Sequence, residues 1–580
     1  MESSQYDENI KEEKSMIIGI DLGTTNSLAA YFSKDGAKII ENRLGKSLTP
    51  SVVAVDEKNQ VLVGETAKEY GLMHPERVAQ VFKRSMGSGK EFKLGEREFH
   101  AEELSAFVLR ALKEDAEQLL GETVTEAVIS VPAYFDDKRR KATQRAGELA
   151  GLKVERIISE PTAAAISYGL YEKTKSTRFL VFDLGGGTFD VSILELFQNI
   201  LEVRAVAGDN YLGGEDFTEL LQTEFLEKNK IDADKLTEKE MARLHKEAES
   251  AKKQFSEKNE AVMHFSYEEE EKELVITLEE YEKLCEPLLD KIRKPIQRSL
   301  SDAHLRLSEV DEVVLVGGAT RLPVVRNFII RLFRKFPNNK IHPDEAVALG
   351  AAIQAAMKER HKAVKEVILT DVCSFTLGTE VSVERAYGMY EAGHFLPIIE
   401  RNTVIPASRT ERLYTLHDNQ ETIRIRVLQG ESRFAVNNLY LGSLEISIPK
   451  NKAGAEAVDV TYTYDINSLL EVEAKVVSTG EVKKQIIKGK ENDMTPKQIE
   501  ERMEELSYLK IPPREQEENR LLLLKGERIY EESTGNERIL LDMWLRAFED
   551  ALNTQDAGVI EDARRELKDR LRSLEEWNRE

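Results

Sequence analysis

The chain has 580 residues, 41% of them hydrophobic, and a formal net charge of −23. That length exceeds what one hydrophobic core serves, so roughly two to four domains are expected, and no apolar run is long enough to cross a bilayer. The acidic balance argues against a nucleic-acid partner, whose phosphates need clustered Lys and Arg.

In chain order, the first sixteen residues, MESSQYDENIKEEKSM, lack the basic start and apolar stretch of a secretion signal. They read as a flexible tail over 1–16, and a cytoplasmic protein is expected. Cys285 and Cys373 allow at most one disulfide and have no metal-site spacing. Residues 17–30, IIGIDLGTTNSLAA, and 180–194, LVFDLGGGTFDVSIL, echo one another. Each is an apolar strand, then Asp-Leu-Gly, a Gly/Thr turn and a second apolar strand. A third turn, within VVLVGGATRLP, follows another fully apolar strand. Such strands suit sheets covered on both faces. Helices are predicted at 102–119, 136–150 and 162–168, which gives an α/β class up to about residue 360, in two duplicated lobes. The charged run over 237–258 is a solvated helix. Residues 371–490 are dense in β-branched and aromatic residues, as in TIRIRVLQGES, and predict a mainly antiparallel β domain. After Met494 the spacing turns helical, with a start signal at Asp493 and Thr495-Pro496.

A bound phosphate wants backbone N–H groups aimed at it and no side chain in the way, which glycine permits. Gly23 opens the first turn, and Thr24, Thr25 and Asn26 add N–H and hydroxyl donors. Gly185, Gly186 and Gly187 do the same in the second, with Thr188 as hydroxyl. Asp21 and Asp183 end their strands at the mouth of the cleft, where carboxylates suit Mg²⁺ held through water. Two matched turns and the Gly317-Gly318 turn point to ATP bound between two lobes.

These turns, with ISEPTAAAISYGL, LGGEDF, VPAYFDDKRRKAT and HPDEAVALGAAIQ, resemble the actin-like ATPase fold and, more narrowly, the DnaK-type heat-shock chaperones. The resemblance runs from Ile17 to the helical C-terminal region. Its VILTD linker and compact helical end look most like the HscC branch. What it implies is a multidomain chain: an actin-like nucleotide-binding domain over 17–364, a linker over 365–372, a β-sandwich peptide-binding domain over 373–490 and a short helical lid over 491–580.

The resemblance also implies roles. Lys83 matches the family's catalytic lysine, and Glu160, Asp183, Thr188 and Asp190 its magnesium- and water-handling residues. Gly213 and Gly214, with Asp216, match the turn reaching into the second lobe. Glu249, Lys252, Lys253 and Ser256 share one helix face and match the adenosine clamp, completed by Gly317, Gly318, Arg321 and Asp344. Ala319 stands where relatives commonly carry serine, and Lys253 where many carry arginine, which stacks better on adenine. The implied ligands are ATP or ADP and Mg²⁺, with K⁺ as a candidate further ion.

For coupling, Val367, Ile368, Leu369 and Asp371 match the family's apolar linker, which docks on the ATPase domain, and Thr370 interrupts it where leucine is usual. Arg156 is expected to pair with Asp371. Pro132 and Arg140 match a nucleotide-sensing relay, and Tyr134, Asp136 and Asp137 the contact region for a J-domain cochaperone. Leu413, Thr422, Ile423 and Ile425 match the peptide channel, with Ser382 and Leu416 at its altered arch. A nucleotide exchange factor is expected to contact residues 257–275. The expected function is an ATP-dependent chaperone that grips extended apolar peptides; a sugar kinase and a filament protein are the rival uses of this fold.

Overall fold

The computed structural model describes residues 16–169, 176–197, 200–268, 270–338, 340–359, 361, 368–384, 390–465, 470–487, 514–554 and 557–577. Lobe I is built on strands β1 (Met16–Asp21), β2 (Asn26–Ser33), β3 (Gly36–Ile40), β4 (Val124–Val131) and β5 (Lys153–Ser159), in the spatial order β5-β4-β1-β2-β3. Strands β1 and β2 form an antiparallel hairpin around the first phosphate turn, and β4 runs parallel to β1. Helices α1 (Glu65–Met73), α2 (Ala101–Leu120), α3 (Asp137–Leu149) and α4 (Glu160–Ser167) flank this lobe. The Asp136 side chain caps α3 by accepting from the Arg139 N–H. Helix α4 starts two residues before the predicted 162, because Pro161 is compatible with a first turn and Ser159 stands at the cap.

Lobe II repeats the plan. Strands β6 (Thr177–Leu184), β7 (Phe189–Phe197) and β8 (Ile200–Asp209) form an antiparallel meander, and β9 (Glu312–Val316) lies parallel to β6. Its helices are α5 (Gly214–Asn229), α6 (Glu238–Gln254), α7 (Leu278–Asp302) and α8 (Pro323–Phe333), after which the alanine-rich α9 (Ala346–Lys358) returns to lobe I, where Ala348 and Ala352 pack against Leu28 and Ala30. The strands are buried on both faces, as their unbroken apolar runs require. The duplicated hairpins explain the sequence echo, since each sets one phosphate turn at the same end of its sheet.

Strand β10 (Ile368–Val372), the region read as the linker, adds to the open edge of β8 in parallel register, Ile200 opposite Ile368 and Glu202 opposite Thr370. Its other edge takes β13 (Val404–Ile405) of the β domain in antiparallel register. Val367 lies outside the described residues. The β domain is a sandwich of two four-stranded sheets. One holds β11 (Leu377–Glu384), β12 (Tyr390–Ile399), β15 (Thr422–Gln429) and β16 (Leu439–Ser447). The other holds β14 (Ala407–Tyr414), β17 (Ala457–Tyr464), β18 (Leu470–Val476) and β19 (Val482–Ile486). Ile425, Val427, Leu444, Val460, Tyr462 and Val472 fill the space between them.

The helical start predicted at Asp493 lies outside the described residues. Helices α10 (Arg514–Glu532), α11 (Gly535–Asn553) and α12 (Ala557–Trp577) pack through Ile529, Leu541, Leu545, Phe548, Leu567 and Leu571. Helix α10 lies against lobe I. Leu524 enters a cluster with Val52, Ala54, Leu62, Ala67 and Tyr70. Among the described residues, no helix is long and apolar enough to cross a membrane.

Candidate functional site

The two phosphate turns face one another across a cavity of about 610 Å³, lined by Asp21, Thr24, Lys83, Glu160, Asp183 and Asp344 among others. In the first turn the Gly23 N–H donates to Ser27 Oγ at 3.2 Å, and Ser51 Oγ donates to the Gly23 carbonyl at 2.8 Å. The hydroxyls of Thr24 and Thr25 are buried and make no hydrogen bond within the protein. A buried hydroxyl without a partner is costly unless a ligand completes it.

The second turn is locked by its neighbour, the Gly213–Asp216 segment. The Gly214 N–H donates to the Gly185 carbonyl and the Glu215 N–H to the Gly186 carbonyl, both at 2.8 Å. Arg84 joins them, donating through Nε to the Gly187 carbonyl and through Nη2 to Asp216, again at 2.8 Å. A Cβ built on Gly213 would sit 2.4 Å from the Gly187 nitrogen and 2.5 Å from the Gly186 carbonyl carbon. Gly213→Ala is therefore expected to push two backbones apart and weaken ATP binding by at least about tenfold, since ångström-scale misplacement is that costly. Titration with a fluorescent ATP analogue checks this, and unchanged affinity would remove Gly213 from the phosphate cradle.

Lys83 sits in a short 3₁₀ turn, 2% exposed, behind Val81 in a left-handed conformation. Its Nζ donates to Glu160 Oε1 at 2.9 Å and lies 5.6 Å from the Phe135 ring centre. Around this pair stand Asp183 and Asp190, both buried, and Asp21, half-buried. Ser130 Oγ donates to Asp21 at 3.0 Å and the Tyr134 N–H to Asp190 at 3.1 Å. Burial, then the Glu160 charge, pushes the Asp21 carboxyl up to about 7 and the Asp190 carboxyl up to about 8. Burial, Glu160 and Asp190 together hold Asp183 well above the carboxylate range. So many carboxylates against one ammonium suit a divalent cation, which would displace their protons. Among the described residues, no group of three or more His, Cys, Asp or Glu side chains is placed to hold a metal ion.

Across the cleft, α6 presents the predicted clamp. Lys252 Nζ donates to the Gly214 carbonyl at 2.8 Å, tying the helix to the phosphate turn. Glu249 accepts from Lys68 of lobe I and from its own neighbour Lys253, both at 2.7 Å. Burial alone would raise Glu249, but the two lysines outweigh it and keep the carboxyl well below its ordinary range. Ser256 lies one turn on, in the same wall, with Gly317, Gly318, Ala319, Arg321 and Asp344 opposite. Gly317 takes a positive φ of 83°, which only its lack of a Cβ makes inexpensive. Asp344 faces Arg321 at 3.4 Å. The cleft thus brings together the predicted metal and adenosine residues and most of the predicted phosphate residues, while Gly187 and Gly213 stand behind its lining.

Of the predicted coupling residues, Pro132 and Arg140 meet at one loop, while Asp371 lies on β10. Arg140 donates to the carbonyls of Phe135 and Ala133, which fixes the loop after Pro132. That loop touches the cleft through Tyr134 and Asp190. On its other face, Ser374 Oγ donates to the Ala133 carbonyl at 2.7 Å, the Asp137 N–H donates to Gln429, and the Tyr134 ring lies 4.4 Å from Phe375. Asp137 is buried, and Lys141 pairs with it. Burial lowers the Arg156 guanidinium, and Asp371 is the charge that opposes the shift. Sequence reasoning missed Ser374, Phe375, Gln429, and the Asp302–Arg401 pair, whose Nη2 and Nε approach the carboxylate at 2.7 and 3.1 Å. Asn402 donates to the same carboxylate at 3.1 Å and accepts from the Val206 N–H.

In the β domain, Ile423 is buried and Leu413 half-buried against the sandwich core, while Thr422 is exposed. Ser382 and Leu416 are half-buried. Ile425 is fully buried in the core, so in this conformation it offers no surface to a peptide.

Residues 17–579 match the family described as Hsp70 protein. The chain is 41% identical over 495 residues to the protein named Chaperone protein DnaK of Thermosipho melanesiensis, covering 83% of this chain and 81% of that one. It is 42% identical over 494 residues to the protein of the same name from Thermotoga petrophila, with the same coverage. The counterpart in Thermosipho africanus is 40% identical over 492 residues, 82% of this chain and 81% of its own.

Proposed function

The chain belongs to the Hsp70 family, as an ATP-dependent chaperone and ATPase, and on that premise we propose that its hydrolysis cleft drives peptide capture through the loop 132–137. The observation that carries the reading is that this loop bonds Asp190 in the cleft and Ser374 and Gln429 in the β domain. A change at the carboxylates therefore moves a contact that holds the two domains together. Neither a sugar kinase nor a filament protein has use for such a connection.

In this reading the backbone amides of both turns, with the Thr24 and Thr25 hydroxyls, hold the phosphates. Asp21 and Asp183 hold Mg²⁺ through water, and K⁺ is a further ion for the same carboxylates. The metal, when bound, neutralises phosphate charge and favours attack at phosphorus. Lys83 offsets charge on the transferred group, Glu160 aims the ammonium, and Thr188 and Asp190 order the attacking water. Glu249, Lys252, Lys253 and Ser256 hold the adenosine against Gly318 and Arg321.

The division at 17–364, 373–490 and 491–580 is supported by separate hydrophobic cores. We read α10–α12 as a lid and Thr422 and Ile423, with Leu413, as part of the peptide channel under Ser382 and Leu416. Placement near the HscC branch rests on the VILTD linker and the compact helical end. A J-domain cochaperone would compete for Tyr134 and Asp137, which are covered while the domains are docked. An exchange factor would approach residues 257–275, and a cytoplasmic site of action accords with the kinship with DnaK.

Unfolded, extended apolar peptide should stimulate ATP hydrolysis by the full chain; no stimulation over a panel of such peptides would sink the coupling reading. Thr370 offers a finer check. Its hydroxyl is buried in β10 with no hydrogen-bond partner. Thr370→Val removes that group without changing shape, so linker docking should strengthen by about 1–2 kcal/mol. Hydrogen exchange of the β8 and β10 amides reads this, and unchanged or weaker protection counts against it.

A further inference from the structure

Helix α10 touches both lobes of the ATPase domain. On lobe I, Arg528 pairs with Glu69, Arg520 donates to Asp56 at 2.6 Å and to Gln60 at 2.9 Å, and Leu524 is buried in the apolar cluster described above. On lobe II, Glu531 pairs with Lys239, while Arg243 lies 3.6 Å from Glu531 and 3.5 Å from Glu532. Arg528 also donates to Glu532 at 2.8 Å. An unbroken chain of charges thus runs from Glu69 of lobe I through Arg528 and Glu532 to Arg243 of lobe II.

Lys239 and Arg243 stand on the first turns of α6, and its last turns carry the adenosine clamp. Between α6 and α1 lies a cavity of about 1130 Å³, lined by Lys68, Gly71, Met241 and His245 among others. The lobe tips are therefore separated by a gap, bridged on the nucleotide side by Lys68 and Glu249 and on the outer side by α10. Opening the cleft to release a nucleotide requires α6 to move away from α1, and α6 is one unbroken helix from Glu238 to Gln254. Any such swing must part Lys239 and Arg243 from Glu531 and Glu532.

We propose that α10 is a clasp across the lobe tips: docked, it slows nucleotide release, and its departure speeds it. Retention is then set by the position of the helical region, so ATP stays bound until hydrolysis while ADP is freed as the clasp lifts. This rests on the reading of α10 as part of a lid that leaves the ATPase domain.

The test uses the full chain and stopped-flow release of fluorescent ATP and ADP analogues. Glu531→Lys with Glu532→Lys should speed ATP-analogue release about three- to tenfold, as expected for a few partly exposed pairs acting together. The swap that adds Lys239→Glu and Arg243→Glu should restore slow release, and raised salt should narrow the difference between wild type and the double variant. Unchanged release in the double variant, or no restoration by the swap, overturns the clasp. Leu524→Asp separates the two readings. If it leaves peptide exchange unchanged, the lid reading fails, whereas the clasp stands or falls on the release rates alone.

Discussion

Lys83→Met is expected to lower single-turnover ATP hydrolysis about 10²- to 10³-fold while ATP still binds, the size seen when one preorganised charge is removed from a reacting centre. The ammonium is 2% exposed and bonded to Glu160, so no solvent cation can take its place in the same geometry. Its removal leaves Glu160, Asp21, Asp183 and Asp190 facing one another without a counter-charge. Divalent-cation affinity should consequently rise, an outcome that a merely unfolded variant would not produce. The phosphate turns and the α6 clamp do not touch Lys83 by hydrogen bond, which is why binding is expected to persist. Measurement of hydrolysis beside Mg²⁺ titration decides the matter. A rate within about threefold of wild type would mean that Lys83 is structural and no charge acts from it on the transferred phosphoryl group.

Asp302→Ala should uncouple the β domain from the ATPase domain. Asp302 closes α7 and receives Arg401 through two nitrogens and Asn402 through a third bond. Charge-assisted bonds are the strong class, and losing this set should cost the docked arrangement about 2–4 kcal/mol, or roughly 30- to 10³-fold in the docking equilibrium. Arg401 keeps a second partner in Glu431 at 2.9 Å, so the β domain itself should remain folded. The consequence appears in peptide binding. In the wild type ATP should weaken peptide affinity through docking, and in the variant ATP should leave it nearly unchanged. Fluorescence anisotropy with one labelled peptide, with and without ATP, reads both cases. A variant in which ATP shifts affinity as before would show that the pair does not hold the domains.

The cleft was legible in the sequence because its chemistry is local. At the end of a strand, an Asp, one glycine or three, and a hydroxyl fall within seven consecutive residues, and the fold only has to bring two such segments together. The clamp on α6 was legible only through the family resemblance, since the spacing i, i+3, i+4 and i+7 describes an exposed charged helix face equally well. The interdomain bonds carry no such signature. Ser374 meets Ala133 across a separation of 241 residues and Arg528 meets Glu69 across 459, with neither partner standing in a recognisable pattern. Ile425 was ambiguous for a different reason. Alternation along β15 puts Ile423 and Ile425 on the same face, so period 2 cannot separate a channel position from a core position. The helix start predicted near Asp493 falls outside the described residues and stays an expectation.

Strand β10 has two neighbours, β8 on one side and β13 on the other. Whenever the domains part, the edge of β8 from Ile200 to Glu202 loses its hydrogen-bonding partner. A bare strand edge is a template on which another copy of the chain, or an unfolded client, can add itself. The same strand carries Glu202 and Arg204, which pair with each other and, through Arg204, with Glu195. Fixed charges at that border disfavour flat stacking of identical strands. If β10 leaves β8 during the working cycle, each turn bares this edge, and the charged border of β8 disfavours its pairing with another copy.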